Sequence, residues 1–375
     1  MRLAQILMAF VLVGTSLDAI AQRQDLSPFI AEVRDKYKLP AMAVTVMQGG
    51  VVIGANVVGV RKVGESDPVT LEDEWHHGSL TKSMTATLAA LLVDEGKIGW
   101  GTTLAEVFPH ESEQMHPDWR GVTLEKLLGH RGGAPDWDVL FSSGIWKKLS
   151  SSTASPRDQR TLFRNLLTAM PPTFKPGLRF SYSNAGYLLA GSMLEARADQ
   201  AWEDLMRDRI FSPLHMNSAG FGSPGVPGKL LQPWGHVWGG GDWRPVEPGA
   251  RNDYPPGMGP AGTVRCSLAD LALYTSAHLS GELGRPTDIK LKQDSWRRLH
   301  TALPDQNYGL GWFVFFKGWA RGDVLQHTGS NLKWYSNVWV APRRDFLVIV
   351  LTNAGGDTAL KATGEVVEKI INKYY

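Results

Sequence analysis

Apolar residues of β-branched type recur at the two ends of the chain, and a long section with helical periodicity lies between them. Ser27-Pro28, followed by Phe29, Ile30, Val33 and Tyr37, gives a cap, a first-turn proline and one apolar face, which predicts a helix. The runs AMAVTVMQ and VVIGANVVGV then meet at Gly49-Gly50, which predicts a β-hairpin. Strand patterns return in YGLGWFVFFKG, KWYSNVWVAP and DFLVIVLTN, followed by a terminal helix with Leu360, Val367 and Ile371 on one side. From about Ser79 to Thr301 helical segments alternate with Pro/Gly-rich loops, the longest running SPGVPGKLLQPWGHVWGGGDWRPVEPGARNDYPPGMGPAG. The expectation is an α+β fold in which both termini build one antiparallel sheet flanked by helices. Residues 22–78 and 302–375 would form the α/β lobe, and 79–301 an inserted, mostly helical lobe.

Composition narrows the function. Lys plus Arg is 39 against 37 for Asp plus Glu, without long runs of either sign, so no basic stripe invites nucleic acid or anionic lipid. The opening MRLAQILMAFVLVGTSLDAIAQ combines Arg2, an apolar stretch over residues 3–14 and the small-x-small site Ala19-Ile20-Ala21. It reads as a secretory signal over residues 1–21, shorter than the roughly 20 apolar residues of a membrane anchor. The expected product is a periplasmic or secreted protein with no stable membrane insertion after signal cleavage. Cys266 is the one cysteine, which excludes an internal disulfide and a cysteine-rich metal site.

A serine hydroxyl becomes a useful nucleophile when a neighbouring base takes its proton, and a desolvated lysine can be that base. GSLTKSMTATLAALLVDEGK places Ser79 and Lys82 three apart at the start of a strong helix pattern, on one helix face. The helix start also aims free N–H groups at a developing oxyanion. Ser-x-x-Lys alone is a weak signal, and it recurs at Ser330 and Lys333. That copy lies in a stretch with strand character, where residues an odd number apart face opposite sides. A Tyr-x-Asn pair, Tyr182 and Asn184, falls in KPGLRFSYSNAGYLLAGSMLEARA, where a Pro-Gly turn leads into a helix beginning near Asn184. On a loop these side chains are free to enter a cleft, the tyrosine as a proton relay and the amide as a ligand for Lys82 and a substrate carbonyl. Judged alone, Asn184 reads equally well as a helix cap and Tyr182 as a packing aromatic.

In order along the chain, Ser79/Lys82, Tyr182/Asn184 and then His327-Thr328-Gly329 on a late strand make a stronger pattern. In these motifs, and in LEKLLGHRGGAPDW, IFSPLHMNSAGFG and GPAGTVRCSLADLALY, the sequence resembles the penicillin-recognising serine hydrolases. These are the class C β-lactamases, DD-carboxypeptidases and their esterase and D-aminopeptidase relatives. The resemblance implies a β-lactamase/transpeptidase-like fold and an acyl-enzyme mechanism without cofactor or metal. It assigns Ser79 as nucleophile, Lys82 as base and Tyr182 as proton shuttle. Asn184, His327, Thr328, Gly329 and Ser330 would bind substrate, and the backbone N–H groups of Ser79 and Ser330 would form the oxyanion hole. Gly329 would let a substrate backbone approach, while the strand edge pairs with an extended acyl chain. His327 departs from the lysine usual in class C β-lactamases and is a weaker carboxylate anchor near pH 7. The departure leans toward the peptidase and esterase relatives.

The implied substrate is a small molecule or peptide: a β-lactam or D-amino-acid peptide, with a carboxylester as the alternative. A reading from a different class is a non-hydrolytic penicillin- or peptidoglycan-peptide-binding protein. His110, Glu111 and His116 have the wrong spacing for a zinc protease helix and read as a surface loop. The adjacent His76 and His77 read as packing or surface residues, and Cys266 as a small buried one. Trp234, Trp238 and Trp243 offer an aromatic substrate wall or packing against the body, of which packing is the commoner.

Overall fold

A computed structural model describes residues 24–375, so the leader expected over residues 1–21 lies outside the described residues. In chain order the strands are β1 (Ala41–Gln48), β2 (Val51–Gly59), β3 (Glu74–His76), β4 (Gly220–Phe221), β5 (Gly235–Gly239) and β6 (Asp242–Val246). They continue with β7 (Val264–Ser267), β8 (Phe313–Lys317), β9 (Gly322–Ser330), β10 (Tyr335–Ala341) and β11 (Phe346–Thr352). Six of them form the main sheet in the order β2-β1-β11-β10-β9-β8, with every pairing antiparallel. The sheet is therefore assembled from both ends of the chain, with β1 of the N-terminal hairpin lying against β11.

The period-2 pattern explains which layers cover it. In β11, Phe346, Val348 and Val350 face one hydrophobic cluster, while Leu347, Ile349 and Leu351 face another. Met42, Val44 and Val46 of β1 join the first cluster, which the terminal helices Ser27–Lys36 and Gly356–Tyr374 close. The second cluster is continuous with the helical section and includes helix Leu268–Glu282. The last helix buries Ala359, Ala362, Val366, Val367 and Ile370. Leu360, expected on that face, is 46% exposed. Of the expected stripe Val367 is buried, and small and β-branched neighbours carry the rest of the buried face.

The section between the strands is not purely helical. It holds a three-stranded sheet, β3-β7-β4, and the hairpin β5-β6 inside the long Gly/Pro-rich loop. The central helix, Thr81–Asp94, buries twelve of its fourteen residues, so it runs through the core. Ser79 precedes it in a 3-10 turn, Gly78–Leu80, that points the helix start at the end of β9.

Candidate active site

Four segments distant in sequence meet at Ser79. Lys82, fully buried, places Nζ 3.1 Å from Ser79 Oγ, 2.6 Å from Asn184 Oδ1 and 2.6 Å from the carbonyl oxygen of Ala261. Burial pulls the lysine well below its ordinary value of 10.5. A neutral amine has two N–H donors and one lone pair. Asn184 and Ala261 take the donors, and the lone pair is left for the Ser79 hydroxyl. The arrangement sets the lysine lone pair against a serine hydroxyl.

Ser183, rather than Asn184, caps helix Asn184–Ala198, and its hydroxyl accepts the Gly186 N–H at 3.3 Å. That frees the Asn184 amide for Lys82. The Tyr182 ring lies 5.0 Å from Lys82 Nζ. Burial raises its phenol above the ordinary range, against a hydrogen bond with Ser79 that lowers it, so the phenol keeps its proton at neutral pH. Ser79, Tyr182, Asn184, Thr328 and Ser330 are half-buried at the opening, whereas Lys82, His327 and Gly329 are buried beneath it.

β9 reaches this opening because two backbones touch. Gly78 has φ +50, and a Cβ there would lie 2.3 Å from the amide nitrogen of Ser330. Gly329 abuts the His77 carbonyl. In the direction a Cβ would take, Gly329 faces the main chain of His77 and Leu80. β8 pairs with β9 only up to Gln326, so the segment from His327 to Ser330 extends past its outer neighbour.

His327 is 1% exposed, with Nδ1 on the Thr328 carbonyl and Nε2 3.4 Å from the Tyr308 hydroxyl. Burial pushes it down to about 3. It is a neutral packing group at pH 7 and offers no cation to a substrate carboxylate. The second Ser-x-x-Lys lies in a turn instead of a continuous strand, because β9 ends at Ser330 and β10 begins at Tyr335. Ser330 Oγ bonds the Trp334 carbonyl at 2.6 Å, away from Lys333.

Residues 26–369 match the family model described as Beta-lactamase. The chain belongs to the beta-lactamase family. Penicillin-binding protein 4 of Amycolatopsis lactamdurans is 26% identical over 345 residues, covering 87% of this chain and 84% of that protein. The octameric penicillin-binding protein homologue from Pyrococcus abyssi superposes with TM-score 0.72 at 24% identity, over 92% of this chain and 77% of the other. The D-amino acid amidase from Ochrobactrum anthropi SV3, complexed with L-phenylalanine, gives TM-score 0.72 at 20% identity, over 93% and 99%. These two structures establish the beta-lactamase/transpeptidase-like fold.

Within this beta-lactamase-family frame, several groups at the site were not found by sequence reasoning. His130 is 2% exposed and takes φ 57, and its ring lies 4.3 Å from that of Tyr182. Its Nδ1 accepts the Ser183 N–H at 3.1 Å, so it fixes the Tyr-x-Asn segment. The only local signal was its place in LEKLLGHRGGAPDW. Of the long-loop tryptophans, Trp238 is 49% exposed. Trp243 is 2% exposed within the sheet-side cluster, and Trp234 stacks on Lys62. A second aromatic wall stands beside Ser330: Tyr254, whose hydroxyl is 3.4 Å from the Ser330 carbonyl, with Trp137, Trp146 and Phe141 beyond it. Phe141 is 54% exposed. Ser183 Oγ donates to the Pro135 carbonyl at 2.5 Å, which ties the start of this wall to the Tyr182 loop.

Among the described residues, no group of three or more His, Cys, Asp or Glu is arranged to hold a metal. His76 and His77 are both fully buried, His77 between Ser336 and Cys266.

Proposed function

We propose that the protein is an exported serine hydrolase that forms an acyl-enzyme at Ser79 and hydrolyses a β-lactam or D-amino-acid peptide amide bond. The observation that carries this reading is the buried Lys82, 3.1 Å from Ser79 Oγ and depressed by burial. Ser79 Oγ attacks the carbonyl carbon while its proton passes to Lys82. The backbone N–H groups of Ser79 and Ser330 hold the oxyanion. The carbon–nitrogen bond then breaks as Tyr182, a neutral phenol, protonates the departing amine, and its phenolate recovers a proton from Lys82. Water repeats the sequence on the ester, releasing the acid and restoring the Ser79 hydroxyl. The leader over residues 1–21 supports export to the periplasm or outside the cell, where such substrates occur.

Carboxylester hydrolysis by the same residues is the second reading, favoured by one observation: His327 is neutral and buried, so the anchor for a substrate carboxylate is weak. A time course of intact mass with a penicillin, alongside Ser79→Ala, separates these. A lasting Ser79-dependent adduct indicates a penicillin-inhibited peptidase, and a transient one with accumulating hydrolysed antibiotic a β-lactamase. Turnover of p-nitrophenyl esters with no penicillin adduct indicates an esterase. A protein that holds penicillin but turns over none of these is a binding protein.

A further inference from the structure

Behind the two loops that frame Ser79 lies a buried carboxylate that the reaction above does not use. The side chain of Asp253 is 3% exposed, and the fully buried His76 turns Nε2 toward its Oδ2 across 3.4 Å. The opposite ring nitrogen, Nδ1, accepts the backbone N–H of Gly78 at 3.1 Å. Nε2 is therefore the ring nitrogen turned to the carboxylate. Nε2 has no formed hydrogen bond, so Asp253 is the group it is held against.

The other end of the carboxylate reaches the second loop. Asp253 Oδ1 accepts from Asn331 Nδ2 at 3.0 Å and from the Tyr254 N–H at 2.7 Å, and Oδ2 accepts from the Ser223 hydroxyl at 2.9 Å. Asn331 is 1% exposed and directly follows Ser330, and its Oδ1 accepts the Lys333 N–H at 3.2 Å, closing the turn between β9 and β10. Burial works against the charge of Asp253, but His76, Asn331 and the Tyr254 amide outweigh it and hold the carboxyl far below the usual range. A buried anion whose oxygens are all engaged is a fixed point, because moving it strands a charge.

We propose that Asp253 is a positioning residue that sets the spacing of the Ser79 and Ser330 N–H groups, through His76 and Gly78 on one side and Asn331 on the other. The inference rests on the reading of Ser79 as nucleophile and of these two N–H groups as oxyanion donors. Such donors act on the tetrahedral state and little on the bound substrate. Loosening them lowers kcat and leaves KM in place.

The test uses Asp253→Asn, with a fluorophosphonate to count competent Ser79 and p-nitrophenyl butyrate as substrate. The labelled fraction is expected to match wild type, and kcat per labelled site to fall about tenfold or more, with KM within about twofold. Affinity for phenylboronic acid, which forms a tetrahedral serine adduct, falls by the same factor as kcat/KM. A smaller change in kcat per labelled site, or boronate affinity that stays at wild-type level, overturns the inference. Should Asp253→Asn fail to fold, His76→Gln and Asn331→Ala each remove one arm and carry the same expectation. Labelling and turnover that survive in Ser79→Ala would instead remove the nucleophile reading, a separate outcome.

Discussion

A side-chain carbon on Gly329 would lie 1.8 Å from the carbonyl oxygen of His77. β9 and the turn before Ser79 thus meet through bare backbone, and this contact brings Ser330 beside Ser79. Gly329→Ala has no flexible neighbour to displace, since the atoms it meets are main chain. The account predicts that it separates the strand from the turn and lowers kcat/KM by about 10² or more, the scale of losing one oxyanion donor. Steady-state kinetics on a p-nitrophenyl ester, normalised to circular-dichroism evidence of folding, checks it. A folded Gly329→Ala enzyme with wild-type kcat/KM would show that the contact is not needed.

Lys82 must be neutral to act, and burial favours that form. Above its native pKa the lone pair is free, and below it the base is protonated and inactive. kcat/KM should therefore rise with pH and reach its plateau well before the ordinary lysine value of 10.5. Lys82→Arg keeps the charge at every accessible pH and should lose about 10²-fold or more. A pH profile with its rise at the ordinary lysine value would contradict the assignment.

The wall of Tyr254, Trp137, Trp146 and Phe141 beside Ser330 suits an aromatic acyl or side-chain group. Trp137→Ala should lower kcat/KM for p-nitrophenyl phenylacetate about tenfold more than for the acetate, the worth of one aromatic contact. Equal losses on the two esters would place the substrate elsewhere.

Five buried histidines link stability to pH, among them His130 and His278, which burial holds well below the ordinary value. Burial pushes His77 and His327 down to about 3 and His236 down to about 4, from an ordinary value of 6.5. The unfolded chain binds protons at these positions at higher pH than the native one. Their contribution is thus complete above pH 6.5 and is lost as the pH falls toward 4 and then 3, where the native rings begin to protonate. Each unmatched proton gives a slope of about 1.4 kcal/mol per pH unit. The melting temperature should be level above neutrality and decline from about pH 6.5, before most carboxylates titrate. A melting temperature level between pH 7 and pH 5 would refute this.

Local pattern revealed whatever is encoded locally. Ser79 and Lys82 share a helix start, and the apolar runs of β1 and β11 mark strands buried on both faces. The Tyr182-Asn184 segment was legible as a loop entering a helix, though Ser183 proved to be the cap. What was missed depends on contacts between remote segments. The Ala261 carbonyl that holds Lys82, the His130 ring against Tyr182, and Asp253 behind His76 carry no periodic signature. Gly329 was recognised as a place of close approach, but which backbone approaches it is a tertiary fact. Leu360 shows the converse, since a large apolar residue at helical spacing sits on the solvent side while alanines face the sheet.

Intact-mass analysis of the protein treated with a fluorophosphonate, followed by peptide mapping, with Ser79→Ala treated in parallel, tests Ser79 as the acylated residue. One adduct per chain is expected, located on Ser79, and none on the variant. An unlabelled wild-type chain, or equal labelling of Ser79→Ala, would contradict it.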